Sequence, residues 1–188
     1  MHAVARARQP CSRNGPSSPL QAAFVSSRFA AQQHSRHVMN VPRVIASGLG
    51  CGFVPIAPGT VASALTLIPG VLLLTISPLL LAIAAASMTL AGLWAIRAAR
   101  IDGDPAWIVI DEVAGQLLAL YGLAHVSMLG VLLAFLIFRL LDVVKPGPIG
   151  WADRQGGAAG VMADDVIAGV VTAGILWAVG SRWPSALG

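Results

Sequence analysis

The sequence predicts an all-α fold, a multi-pass membrane bundle of about five spans preceded by a re-entrant or broken segment. Two observations carry this. First, 56% of the 188 residues are hydrophobic and only 11% charged, with a mean hydropathy of +0.78, whereas soluble domains carry about 25% charged residues. So little polar surface cannot cover a globule in water, and most of the outside must face lipid. Second, five apolar stretches of 16 to 19 residues follow one another, Val61–Ile76, Leu79–Ile96, Trp107–Ala124, Val126–Val144 and Val161–Val179. Each approaches the roughly 20 residues that cross a bilayer.

Taken in order, residues 1–40 read as a disordered basic leader and 41–184 as the membrane domain. The leader is rich in Ser, Pro and Arg, contains no acid and has no apolar core of its own. It is therefore no cleavable signal peptide. Met39 is the expected functional start. Val44 to Ala57 are apolar but interrupted by Gly48, Gly50, Gly52, Pro55 and Pro58 follows directly. Irregular backbone at membrane depth is tolerated only against protein or water, so a short helix or re-entrant segment leading into a structured turn is expected. Ser77-Pro78 separates the first span from the second, and the linker at His125 is short enough to predict a helical hairpin. Lys145 to Gly160 is the one sizeable polar loop after the leader, rich in Gly and Pro.

Charge distribution orients the bundle. All eight acids lie between Asp102 and Asp165, after eight arginines from Arg6 to Arg100. With the leader in the cytoplasm, the predicted cytoplasmic loops carry Arg97, Arg100, Lys145 and Arg154, while the turns at Ser77-Pro78 and His125 carry no Lys or Arg. Arg182 is a mild exception. This orientation brings the Gly/Pro turn before Val61, the start of the third span, the end of the fourth and the start of the fifth to one level at the cytoplasmic face. The basic residues are too scattered for a nucleic-acid surface. Cys11 and Cys51 form no disulfide framework or metal pattern.

Chemistry is indicated by five carboxylates on apolar helices: Asp111, Glu112, Asp142, Asp164 and Asp165. An acid at the centre of a span costs about 3 kcal/mol on insertion scales, less near an interface. Nearby bases are few, essentially Arg139, Lys145 and Arg154, so at least two acids lack a partner. Clustered like charges resist ionising together unless a cation joins them, and a divalent metal with oxygen ligands, Mg²⁺ by default, fits. Asp111 and Gly115, and likewise Asp165 and Gly169, are four apart on one helix face. The D-x-x-A-G pattern common to both lets two helices approach closely while aiming acids into one crevice. Arg139 and Asp142, three apart, either neutralise each other or serve catalysis. Thr60 or Ser63, after the Gly/Pro turn, either caps a helix or binds phosphate. Asp102-Gly103-Asp104 reads as a solvated loop, because no apolar strand precedes it.

In order, the blocks Gly50-x-Gly52-x-x-Pro55-x-x-Pro58-Gly59-Thr60, Asp111-Glu112-x-x-Gly115, Phe138-Arg139-x-x-Asp142-x-x-Lys145-Pro146-x-Pro148-Ile149, Asp153-Arg154 and Gly160-x-Met162-x-Asp164-Asp165-x-x-Ala168-Gly169 resemble the phosphatidylglycerophosphatase A family. Ala62 departs from it, where Gly is expected before Ser63. The resemblance covers about Val44 to Pro184. It implies a Mg²⁺-dependent lipid phosphatase of the bacterial inner membrane, acting on phosphatidylglycerophosphate with its site facing the cytoplasm. It also implies that Asp111, Asp142, Asp164 and Asp165 hold Mg²⁺, and that Glu112 ligates it or takes a proton from water. Arg139, Lys145 and Arg154 would stabilise the phosphoryl oxygens. The rival reading from another class is an ion- or proton-coupled transporter, in which intramembrane acids form a relay.

Overall fold

The structure, a computed structural model, describes residues 40–101 and 103–183. The basic leader, with His2, Cys11, His34, His37 and Met39, lies outside the described residues, as does Asp102.

The described chain is helical, with no strand among the described residues. Helix α1 (Val41–Ala46) opens at Asn40, whose side chain accepts from Arg43 N at 3.1 Å, with Pro42 in its first turn. It is broken at once by Gly48, Leu49 and Gly50, all at positive φ, and a 3₁₀ turn at Cys51–Phe53. The expected broken segment is therefore present. This turn is pinned from above. A Cβ on Gly52 would lie 1.9 Å from Trp107 O, the Phe53 and Trp107 rings stack 5.9 Å apart, and Val109 N donates to Ala46 O.

Helix α2 (Pro58–Ile76) begins after Ala57, which is left-handed at φ 47°. Proline at the first helical position suits its missing N–H. Ser77 is extended, and α3 (Pro78–Ala98) starts at Pro78, the break expected from Ser77-Pro78. Helices α4 (Ile110–Leu120), α5 (Met128–Val144), α6 (Pro148–Asp153) and α7 (Gly157–Arg182) complete the chain. Ser127 caps α5 by accepting from Gly130 N at 3.0 Å.

Helix α4 is the centre. It packs against α2, α3, α5 and α7, and eight of its eleven residues are buried. Its closest neighbour is α7, and the predicted small-residue echo is where they touch. A Cβ on Gly169 would lie 2.3 Å from Gly115 O, and one on Gly115 2.6 Å from Asp165 O. Outward faces of α2, α3 and α5 carry exposed Leu65, Ile68, Leu72, Ile83, Leu90, Leu132 and Leu136 at helical spacing, as lipid-facing surfaces should.

Among the described residues, three helices are long and apolar enough to cross a membrane: α2, α3 and α7. The expectation of about five spans is reduced at the third stretch. Trp107–Ala124 is helical only over Ile110–Leu120, eleven residues or about 16 Å, against a hydrocarbon core of about 30 Å. The physical reason is that these apolar residues face protein, and hydropathy does not distinguish a protein neighbour from a lipid one. Helix α5 has 17 residues, about 25 Å.

Candidate active site

Four helices and one loop bring their polar residues to a single cavity of about 360 Å³. Asp111 and Glu112 come from the first turn of α4, where the helix dipole favours acids. Arg139 and Asp142 come from the end of α5, Lys145 from its left-handed cap, and Asp164 and Asp165 from the second turn of α7. Gly59 and Thr60 at the start of α2 form another wall. The convergence expected from charge and spacing is thus present in the fold.

The acids form two groups. Asp111, Glu112 and Asp165 each offer an oxygen within 4.8 Å of the others, and so do Asp142, Asp164 and Asp165. Together these are the five carboxylates singled out by sequence. Asp111 Oδ1 accepts from Glu112 N and Asp164 Oδ1 from Asp165 N, each at 3.0 Å, which fixes both side chains against their own helices.

Bases sit at the edge of the acid cluster. Arg139 Nη1 lies 2.6 Å from Asp142 Oδ2 and 3.8 Å from Glu112 Oε1, so the mutual pairing of Arg139 and Asp142 and a place in the cavity are both realised. Lys145 Nζ donates to Asp164 Oδ2 at 2.6 Å and to Asp153 Oδ1. Partial burial pulls the Lys145 ammonium down, but its hydrogen bonds to Asp153 and Asp164 outweigh this and hold it above its ordinary value.

A divalent cation fits this donor set. Among the described residues the cavity offers carboxylate oxygens and no His or Cys, the chemistry of a hard cation. Glu112 Oε2 and Asp165 Oδ1 are buried without a hydrogen-bond partner among the described residues. Buried carboxylate oxygens left unpaired are costly, and a cation would satisfy them.

Glycine at 59 is required by this packing. A Cβ there would lie 1.9 Å from Glu112 Oε1 and 3.4 Å from Arg139 Nη2. Gly59→Ala is therefore expected to push Glu112 aside and lower turnover by up to about 10²-fold, the scale of a 1 Å misplacement. A steady-state assay beside a melting curve checks it; the thermal midpoint should change little, because the displaced atoms belong to a side chain.

Two predicted residues do not reach the cavity. Ser63 is buried and its hydroxyl donates to Gly59 O at 2.8 Å, a local backbone bond. Arg154 is exposed on the turn after α6, away from the cavity lining. Thr60 does line the cavity, exposed at the helix start.

Asp104 is exposed in a loop, as the sequence reading had it, yet it has a part in the site that the reading did not give it. It lines the cavity. Its nearness in sequence to Asp111, across a loop too short to carry it far, was the available signal. Gln116 was also missed. It is fully buried one turn below Glu112, with neither amide atom hydrogen-bonded among the described residues.

Carboxylates and bases gathered at one end of an apolar helical bundle define a class, that of helical membrane enzymes with an acid-lined site. Within that class the chain belongs to the phosphatidylglycerophosphatase A family, whose sequence profile matches residues 44–180. It is 38% identical over 156 residues to phosphatidylglycerophosphatase A of Escherichia coli K12, covering 80% of this chain and 90% of that protein. A putative phosphatidylinositol-3-phosphatase of Bacteroides thetaiotaomicron is 37% identical, covering 76% and 94%. Phosphatidylglycerophosphatase A of Haemophilus influenzae is 31% identical, covering 76% and 90%. No solved structure matches significantly. The family makes the chain a phosphatase, and its three long apolar helices, together with its Escherichia coli relative, point to a bacterial membrane protein.

Proposed function

We propose that the protein hydrolyses phosphatidylglycerophosphate to phosphatidylglycerol and phosphate, with Mg²⁺, at the cytoplasmic face of the bacterial inner membrane. The observation that carries the reading is the joining, in one cavity, of five clustered carboxylates with Arg139 and Lys145 in a bundle whose outer helices expose apolar faces. The names of the Escherichia coli and Haemophilus influenzae relatives support the substrate, and the arginines and lysine of the predicted inner loops support the orientation.

Asp111, Glu112, Asp142, Asp164 and Asp165 hold the metal in this reading. When bound, Mg²⁺ supplies charge neutralisation and polarises a phosphoryl oxygen. The chain does the rest. Arg139 and Lys145 bind phosphate oxygens through charge-assisted hydrogen bonds, and Thr60 adds a hydroxyl at the cavity wall. Glu112 has two oxygens, so one can ligate while the other takes a proton from the attacking water. As the phosphorus–oxygen bond to the glycerol breaks, that proton passes to the departing oxygen, giving the neutral alcohol and inorganic phosphate. A transporter is disfavoured, because the acids gather at one end instead of lining a path through the bundle.

The test is phosphate release by purified protein in mixed micelles. Release from phosphatidylglycerophosphate should vanish with EDTA and return with Mg²⁺. Release that ignores EDTA would sink the metal assignment, and release confined to phosphatidylinositol 3-phosphate would overturn the substrate.

A further inference from the structure

Asp165 differs from the other acids of the cavity. It alone belongs to both groups of three carboxylates, with Asp111 and Glu112 on one side and with Asp142 and Asp164 on the other. It is 2% exposed, and its Oδ1 has no hydrogen-bond partner among the described residues. Asp142 and Asp164 each have one oxygen on a base, Arg139 and Lys145 respectively. Among the described residues Asp165 has no ion pair.

Charge makes the same point. Six carboxylates line the cavity, counting Asp104, with two basic side chains. Fully ionised, this leaves four negative charges uncompensated, one of them on the solvent-exposed Asp104. A single divalent cation answers half of them; two answer all. Among the described residues nothing else in the cavity does so, because its remaining lining is uncharged. An unbalanced charge inside a membrane protein is costly.

We infer that the site holds two divalent cations, one ligated by Asp111, Glu112 and Asp165 and the other by Asp142, Asp164 and Asp165, with the Asp165 carboxylate shared between them. The inference deepens the metal-dependent reading above and rests on it for the choice of cation. Paired cations suit phosphate-ester chemistry, since one can serve the attacking and the other the leaving oxygen. Asp165 Oδ1, buried and unpartnered among the described residues, is available to a cation.

The test is Mn²⁺ binding to the purified full chain in detergent, read by calorimetry and by electron paramagnetic resonance, with Mg²⁺-dependent phosphate release measured in parallel. The expected result is two Mn²⁺ per chain, with a spin-coupled spectrum instead of the separate six-line signal of isolated ions. Asp111→Asn and Asp142→Asn should each retain one ion with the isolated signal, and Asp165→Asn should retain neither at the wild-type affinity. The wild-type stoichiometry and spectrum decide the question even if a variant fails to fold. One Mn²⁺ per chain with Mg²⁺-dependent release intact would overturn the pair and leave the phosphatase reading standing. Two uncoupled ions, or full binding by Asp165→Asn, would overturn the shared carboxylate. No binding together with EDTA-insensitive release would overturn the metal reading itself.

Discussion

Asp165→Asn is expected to lower phosphate release by about 10³-fold or more. The charge stabilisation supplied through a metal site is several kcal/mol, and each 1.36 kcal/mol is tenfold in rate. Asp165 joins both carboxylate groups, so its loss disturbs the whole ligand set, while asparagine preserves its volume. The opposite sign is expected for stability in EDTA. Without a cation, Asp165 crowds against other carboxylates at 2% exposure, and removing one like charge relieves repulsion. The metal-free variant should therefore melt at the same temperature as the wild type or higher. Full activity in the variant would remove Asp165 from the machinery; reduced activity with a collapsed melting transition would make its role structural.

Gly169→Val should damage both stability and activity. A Cβ at 169 would meet Gly115 O at 2.3 Å and Gly115 C and Cα at 3.0 Å, and backbone atoms cannot rotate away as a side chain can. The helices must separate, and overpacking of this kind costs about 1–3 kcal/mol, occasionally more. At about 2–4 °C per kcal/mol for a chain of this size, the midpoint should fall by several degrees. Activity should fall as well, because Asp111 and Asp165 each stand one turn before the contact, and excess Mg²⁺ should not restore it. Gly174→Ala is the control on the same helix. Nothing lies within 4 Å of its added Cβ, so its melting curve and activity should remain close to wild type.

Much of this was readable from residue types alone because lipid and charge are uncompromising. Asp111, Glu112, Asp142, Asp164 and Asp165 stood out as acids that apolar helices exclude unless they are used, and the fold gathers them. The A-G echo located the contact of α4 with α7, since only small residues permit backbone contact. Ser77-Pro78 located a helix break because proline fixes its own φ and restricts the residue before it. The third stretch is not confirmed as a span: it is helical only over Ile110–Leu120, which carries three polar side chains and is mostly buried among other helices. Asp104 and Arg154 show a different limit. Both lie in polar loops, and whether a loop side chain turns toward the cavity depends on contacts distant in sequence, such as that of Gly52 with Trp107. Lys145 was legible as a base near phosphate, whereas its tie to Asp153 and Asp164 required the chain to turn back through α6.

Val143 stands on the margin of the acid cavity and is 71% exposed, next to Val144 on the same outward-facing end of α5. Greasy surface and acid lining therefore meet within one residue's width. A lipid need not be lifted from its leaflet to be processed; its tails can remain among their neighbours while only the polar tip swings inward. Encounter then becomes a lateral search in two dimensions, governed by how crowded the leaflet is with substrate instead of by any bulk concentration.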